Sequence, residues 1–405
     1  MGPYPHESST RPAQPFEIAA RDGSARTGTL RTAHGDVRTP AFVPLASNAS
    51  VRGLLPAEVA DLGYDMVLGN TFHLFITPGH DYVRALGGLH RFMGWDGPIV
   101  TDSGGFQVFS MGHGSVSDEI KGRRDGRRSM VHEISEDGVR FQSYMDGSER
   151  FMGPETSMEV QAALGSDIAL AFDECTPFHS DRTYTLRSME RTHRWLDRCV
   201  AWQREHAPAW QLLYGIVQGG VHEDLRAEST AYVAAADVDG IAIGGSLGQD
   251  KDQMREVLGW SLAGLPDAPP RHLLGIGDVD DILHAVAAGI DSFDCATPTR
   301  LARHGTALVC DPDRRWRLDL TKAAVAGSAE PIAAGCPCPA CAGGFTRGYV
   351  HYLARNRELT GSRLLALHNL TFMAELMAGL RAAIAAGDLA AYTARVLAGD
   401  APYRA

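Results

Sequence analysis

Residues Gly289–Arg300 read GIDSFDCATPTR. Ile290 and Phe293 make the approach apolar, as in a buried strand, yet the run closes on a carboxylate, Asp294, followed by a thiol, a proline and an arginine. A charge at the end of a buried segment needs a partner or a task. Seven other runs of this kind punctuate the chain: AFVP from Ala41, DMVLGN from Asp65, PIVTDSGG from Pro98, DIALAFDE from Asp167, LLYGIVQGG from Leu212, GIAIGGS from Gly240 and HLLGIG from His272. Each ends in glycine or polar residues and leads into a segment with helical signals. One helix is expected from Pro56, a good first-turn residue, to Gly63, and another from Pro154 to Gly165. A third runs from about Asp181 through Leu186, Met189, Leu196 and Cys199 at helical spacing, and a fourth starts after Asp278 as N-cap and stops at Gly289. Eight strand–helix alternations, with strands apolar enough for burial on both faces, predict an α/β fold, a (β/α)8 TIM barrel. An open doubly wound sheet is the alternative, weakened because no GxGxxG follows an early strand.

Two segments fall outside this alternation. Residues 108–153 hold a basic loop, KGRRDGRR (Lys121–Arg128), and then VRFQSYMDGSERFM (Val139–Met152), whose alternation around Asp146–Gly147 predicts an inserted β-hairpin. Past about Thr321 comes a cysteine cluster followed by helices. The expected organisation is a flexible tail over 1–15 and a barrel over 16–320 with the insertion at about 108–153. A zinc-binding helical subdomain over 321–405 completes the barrel.

The 405 residues are 44% hydrophobic and 21% charged, enough for a large core in a soluble globular protein. A net charge of −11 excludes indiscriminate nucleic-acid binding. Nucleic-acid contact would rest on a local basic patch, for which KGRRDGRR, Arg314–Arg315 and Arg347 are candidates. The opening MGPYPHESSTRPAQP is polar and proline-rich, without a secretory or myristoylation pattern, and no segment is long and apolar enough to span a membrane. Seven cysteines, three of them crowded together, argue against a disulfide scaffold and for a reducing cytoplasm.

In a barrel, reactive groups gather where strands end. The run ends supply Asp102, Asp173 with Glu174, Gln218, Gly244–Gly245 and Asp294. A lone aspartate after a strand is usually a helix cap. Three converging acids with a glutamine are instead the equipment for chemistry at a sugar anomeric carbon, one acid as nucleophile and another handling protons. The glycines after Ser103 (Gly104 and Gly105), after Gln218 and at Gly244–Gly245 let backbone N–H groups approach a flat ligand, or else form tight turns. The sixteen histidines include no His-x-His or His-x-x-x-His pair, which disfavours a metal-dependent hydrolase. CPCPAC brings Cys336, Cys338 and Cys341 together, with His351 and His368 downstream. Three thiolates and an imidazole make a tetrahedral site, and a filled shell means structural zinc.

Taken in order, TDSGGFQVFS, AFDECTPF, GIVQGG, AIGGS, HLLGIG, FDCATPTR and CPCPAC with a later His-Asn pair resemble the tRNA-guanine transglycosylases (queuine tRNA-ribosyltransferases), from about Phe16 to about Val396. The resemblance implies a TIM barrel with a zinc subdomain. Such an enzyme exchanges guanine at the wobble position of certain tRNAs for a 7-deazaguanine, queuine or its aminomethyl precursor. Asp294 matches the nucleophile that attacks ribose C1′, and Asp102 the proton acceptor and donor. Asp173, Gln218 and Gly245 match the groups holding the base edge, beside Ser103, Gly104 and Gly105, with Phe106 and Leu274 as stacking faces. Gly275, Ile276, Gly277, Asp278, Val279, Asp280 and Asp281, with Thr299, Arg300, Leu301, Ala302 and Arg303, match segments that touch the tRNA. Cys336, Cys338, Cys341 and His368 match the ligands of one zinc ion, His368 being preferred to His351 because it sits in the His-Asn pair. Ser246 and Gly248 depart from the common bacterial pattern, and a glycine at 248 is expected to make room beside the 7-substituent of queuine. The resemblance further implies a cytoplasmic homodimer, for which the stripe Phe372, Leu376, Leu380 and Ile384 is a candidate surface unless it is packed core. Two alternatives are a non-catalytic, zinc-stabilised tRNA-binding subunit, which the presence of both Asp102 and Asp294 opposes, and a related transglycosylase acting on DNA or another tRNA position.

Overall fold

Each of the eight apolar runs becomes a strand of one closed parallel barrel. The computed structural model describes residues 11–12, 14–113, 131–177, 179–245 and 247–403. Three strands precede the barrel: β1 (Phe16–Asp22), β2 (Ala25–Thr32) and β3 (Gly35–Thr39) form an antiparallel sheet. The barrel then begins with β4 (Ala41–Ala46), β5 (Val67–Gly69) and β6 (Ile99–Thr101). It is interrupted by β7 (Val131–Ile134), β8 (Val139–Gln142) and β9 (Glu149–Met152). It resumes with β10 (Ile168–Leu170), β11 (Leu212–Val217), β12 (Gly240–Ile243), β13 (Arg271–Leu273) and β14 (Ser292–Cys295), and β14 pairs back onto β4. Strands covered on both faces read as unbroken apolar runs, which is why the sequence pattern found them.

The helices end where backbone chemistry predicts. Helix Pro154–Leu164 stops at Gly165 and helix Val279–Ala288 at Gly289, both glycines being left-handed. Helix Arg182–His206 opens at Asp181, whose carboxylate accepts from Tyr184 N. Asp278 precedes its helix as expected but makes no side-chain cap; its carboxylate accepts from Arg317 at 2.6 Å instead. The insertion is more than the predicted hairpin. The Asp146–Gly147 turn does join β8 to β9, and β7 adds a third antiparallel strand on the other side of β8.

The N-terminal sheet fastens the base of the barrel. Arg26 on β2 and Asp291, just ahead of β14, are both fully buried. The guanidinium donates to Asp291 through Nε at 2.8 Å and Nη2 at 2.5 Å, and to the carbonyls of Asp267 and Pro269. Asp291 also accepts from Arg271 N at 2.6 Å, so one carboxylate ties the starts of β13 and β14 together. Nearby, Asp167 accepts from the backbone N–H groups of His34 and Ile99 and faces the stacked rings of His34 and His90. Those histidines hold its carboxyl well below the usual range despite its burial.

After the barrel, β15 (Thr306–Leu308) and β16 (Arg317–Asp319) pair antiparallel, and helices Arg347–Arg355, Leu359–Ala386 and Leu389–Leu397 follow. Helix Leu359–Ala386 packs along helix Thr297–Arg303, and its core residues join the same apolar cluster as Ile243, Leu273 and Phe293 of the barrel. Phe372, Leu376, Leu380 and Ile384 are all fully buried in that cluster, so the stripe is core and not a dimer surface. Among the described residues no helix is long and apolar enough to cross a membrane.

Candidate active site and metal site

The acids at the strand ends do meet at one mouth. Asp102 follows β6, Asp173 follows β10 and Asp294 is the next-to-last residue of β14, all toward the C-terminal ends of parallel strands. Burial pushes the Asp102 carboxyl up to about 7, and the negative charges of Asp294 and Asp173 push the same way. That mutual repulsion is the electrostatic mark of carboxylates sharing one enclosed space. Asp102 is held by Thr71 N at 2.8 Å, by the Asn70 amide and by the Gln107 side chain. Asn70 also caps helix Thr71–Ile76 by accepting from His73 N, so the end of β5 aims both elements.

Asp173 is buried, with Oδ1 accepting from Ser103 Oγ at 2.7 Å and Oδ2 from Gln218 Nε2 at 2.6 Å. Burial lifts its carboxyl to about 6 against these stabilising bonds. Gln218 Oε1 is buried without a partner among the described residues, and a Cβ on Gly245 would lie 2.2 Å from it. Gly105 is similarly constrained: a Cβ there would sit 2.3 Å from the Asp173 carbonyl oxygen, so only glycine lets the DSGG loop lie against the acid. Phe106 stands exposed at the start of helix Gly105–His113, and Leu274 is half-buried beyond β13.

Asp294 is buried and holds Oδ1 against Gly275 N at 3.0 Å and His272 Nε2 at 3.2 Å. Beside it Arg300 and Arg303 are exposed on helix Thr297–Arg303. Arg303 is pushed below its ordinary value, by burial first and then by the charges of Arg52 and Arg300. Three arginines thus crowd one side of the mouth, a surface suited to phosphate. Asp173 and Gln218 are hydrogen-bonded side by side, with Asp102 close enough to Asp173 and to Asp294 for the three acids to share one mouth.

With this geometry in place, a family model described as queuine tRNA-ribosyltransferase matches residues 22–401. The chain belongs to that family. A queuine tRNA-ribosyltransferase of Roseiflexus sp. (strain RS-1) is 49% identical, over 93% of this chain and 97% of that protein. Those of Pelotomaculum thermopropionicum and Thiobacillus denitrificans are 47% and 45% identical, covering 92% and 94% of this chain and 95% and 97% of theirs.

The cysteine cluster closes as the queuine tRNA-ribosyltransferase resemblance implied. His368 Nδ1 lies 3.5, 3.4 and 3.6 Å from the sulfurs of Cys336, Cys338 and Cys341. A tetrahedral zinc ion about 2.3 Å from sulfur and about 2.05 Å from nitrogen would set each S···N edge at about 3.6 Å. The donor set therefore fits the ion. His368 Nε2 lies 2.7 Å from Leu308 O, which leaves Nδ1 as the ligand atom. His351 is elsewhere, its Nδ1 on Leu320 O.

Several expectations drawn from the sequence change. Gly277, Val279, Asp281, Thr299 and Ala302 are buried, so within the two expected tRNA-touching segments the accessible side chains are those of Arg300 and Arg303, with Ile276, Asp278, Asp280 and Leu301 half-buried around Gly275. Asp280 and Asp281 are moreover engaged by Lys251 at 2.6 and 3.0 Å. Arg347 donates its guanidinium hydrogens to Ile332 O, so it is not a free phosphate contact. Gly248 has a φ of 112° and a Cβ there would run into the Gln253 side chain. Its missing side chain serves the turn into helix Lys251–Leu262. KGRRDGRR and Ser246 lie outside the described residues. Asn70, Gln107, His272 and Arg52 join the site without having stood out in the sequence. Asn70 did carry a signal, as a polar residue directly after a glycine at a strand end, and Gln107 stands two residues past the Gly104–Gly105 pair.

Proposed function

We propose that this chain exchanges guanine at the tRNA wobble position for a free 7-deazaguanine base by double displacement. What carries the reading is the joint placement of Asp102 and Asp294 on one rim, close enough for the Asp294 charge to raise Asp102. Asp294 Oδ2, which has no hydrogen-bond partner among the described residues, attacks C1′ while Oδ1 stays anchored. As the C1′–N bond breaks, its electron pair goes to the guanine ring nitrogen and Asp102 delivers a proton to the departing base. A carboxyl lifted to about 7 holds that proton at neutral pH. The incoming base then gives its ring proton to Asp102 and attacks C1′, and the ester bond to Asp294 breaks to regenerate the carboxylate. Two inversions retain the sugar configuration.

Asp173 accepts from the N–H edge of guanine, and Gln218 donates its second amide hydrogen to the base carbonyl. The Asp173–Gln218 bond pre-aims both groups, an edge pattern that adenine cannot match. Swinging the wobble base out of its stack costs about a few kcal/mol. Arg300, Arg303 and Arg52 offset part of that through flanking phosphates. Cys336, Cys338, Cys341 and His368 hold a structural zinc ion with no open position, which takes no part in the exchange. If the enzyme is a homodimer, its exposed apolar side chains in the C-terminal region, Tyr349, Tyr352 and Leu359, supply the contact.

The test is to trap a protein–tRNA adduct on a denaturing gel, using wild type, Asp294→Asn and Asp102→Asn. Wild type should give an adduct and Asp294→Asn none. An adduct persisting in Asp294→Asn sinks the mechanism.

A further inference from the structure

Beneath Asp294 lies a buried histidine that the exchange chemistry has not yet used. His272 is 2% exposed, on β13, and its backbone pairs with Ser292 on β14. Ser292 and Asp294 are two residues apart and so face the same side of the strand, toward the barrel interior. The three side chains form a chain: Ser292 Oγ to His272 Nδ1 at 2.8 Å, then His272 Nε2 to Asp294 Oδ1 at 3.2 Å.

The direction of the protons follows from the acceptor at its end. A carboxylate oxygen only accepts, so His272 Nε2 must carry the hydrogen. In a neutral ring Nδ1 is then the acceptor, and the Ser292 hydroxyl donates to it. Asp294 thereby fixes the tautomer, and Ser292, whose hydroxyl can donate or accept, satisfies Nδ1 and holds the ring in place.

We propose that His272 is a positioning residue for Asp294, an inference that rests on reading Asp294 as the nucleophile. With Gly275 N it pins Oδ1 by two donors, which leaves Oδ2 directed at the mouth. The same donor favours the ionised carboxylate. It therefore acts twice: it keeps Asp294 charged for attack on C1′, and it stabilises the carboxylate that leaves when the second base displaces it. Nothing is transferred through His272; its proton stays on Nε2 throughout.

The experiment compares wild type, His272→Phe, His272→Gln and Ser292→Ala. Glutamine can place its amide N–H near the Nε2 position, whereas phenylalanine fills the space without a donor. A charge-assisted hydrogen bond of the usual strength predicts that His272→Phe slows formation of the covalent tRNA adduct roughly 10- to 100-fold. His272→Gln should recover most of the rate. Ser292→Ala, which keeps the imidazole but removes the bond that orients its ring, should fall between. Dissociation constants for tRNA and for guanine should stay within about twofold, since His272 touches neither.

Adduct formation at the wild-type rate in His272→Phe overturns the proposal, as does a His272→Gln as slow as His272→Phe. Should His272→Phe fail to fold, Ser292→Ala at the wild-type rate overturns it instead. A wild type that yields no Asp294-dependent adduct removes the nucleophile reading and this inference with it. A normal wild-type adduct with an unaffected His272→Phe removes this inference alone.

Discussion

Arg26→Met would expose how the base of the barrel supports its reactive rim. The substitution keeps an apolar stem but deletes both bonds to Asp291, leaving that carboxylate, fully buried, with Arg271 N as its remaining donor. Breaking one partner of a buried ion pair costs about 3–5 kcal/mol. Protonation sets a ceiling on the loss. Burial already holds Asp291 above its ordinary 3.8, and removing Arg26 raises it further. Neutralising such a group costs about 1.4 kcal/mol for each pH unit above its unfolded value. That is roughly 6 kcal/mol near pH 8, so the full loss is expressed there, and roughly 2 kcal/mol near pH 5.5. The sign is thus fixed: the folded variant takes up a proton the unfolded chain does not, and its deficit grows as pH rises. With an unfolding entropy of about 2.1 cal/mol/K per residue, a chain of this length should lose about 4–6 °C of Tm near pH 8 and under about 3 °C near pH 5.5. Scanning calorimetry at the two pH values measures it. A deficit of equal size at both, or one below about 1 °C near pH 8, would refute the account of Asp291 as a buried, Arg26-dependent charge.

Other consequences are sharper at the rim. Because burial and the Asp294 charge lift Asp102 to about 7, and guanine departure uses its protonated form, release of labelled guanine from tRNA should decline as pH rises through about 7. Asp102→Asn should lower exchange by roughly 100- to 10,000-fold with tRNA binding retained, and a wild-type rate flat into alkaline solution would contradict the assigned role. Gly105→Ala brings a methyl 2.3 Å from Asp173 O, so calorimetric affinity for free guanine should drop at least about tenfold without a matching loss of Tm. Cys338→Ala should abolish bound zinc in elemental analysis and lower Tm, whereas His351→Ala should leave the metal content unchanged; equal metal in both variants would put the ion elsewhere.

Much of the architecture was legible because burial on both faces turns barrel strands into unbroken apolar runs, and because left-handed glycines such as Gly165 and Gly289 end helices visibly. The β1–β3 sheet was not. Its first strand, FEIAARD, alternates exposure along its length, and the Asp22–Gly23 pair that ends it is a hairpin signal that a reading for buried apolar runs passes over. The third strand of the insertion, VHEI, has no fully buried residue and so left no apolar trace. At the rim, residue types at strand ends disclosed the acids, whereas His272 acquires meaning only by standing beside Ser292 and Asp294 from another strand. Asp278 reads locally as an ordinary cap; a distant Arg317 diverts it, which no local rule anticipates. Spacing alone could not choose between His351 and His368.

The pair His368–Asn369 has a consequence beyond metal binding. Asn369 accepts from Leu308 N and donates to the carbonyls of Pro298 and Thr306, so adjacent residues of one helix clasp the cysteine knot on one side and the root of the Arg300 helix on the other. Chelation should therefore be felt first as a loosened grip on RNA, with the purine slot still intact, and a remote lesion in the knot would masquerade as a substrate-recognition defect.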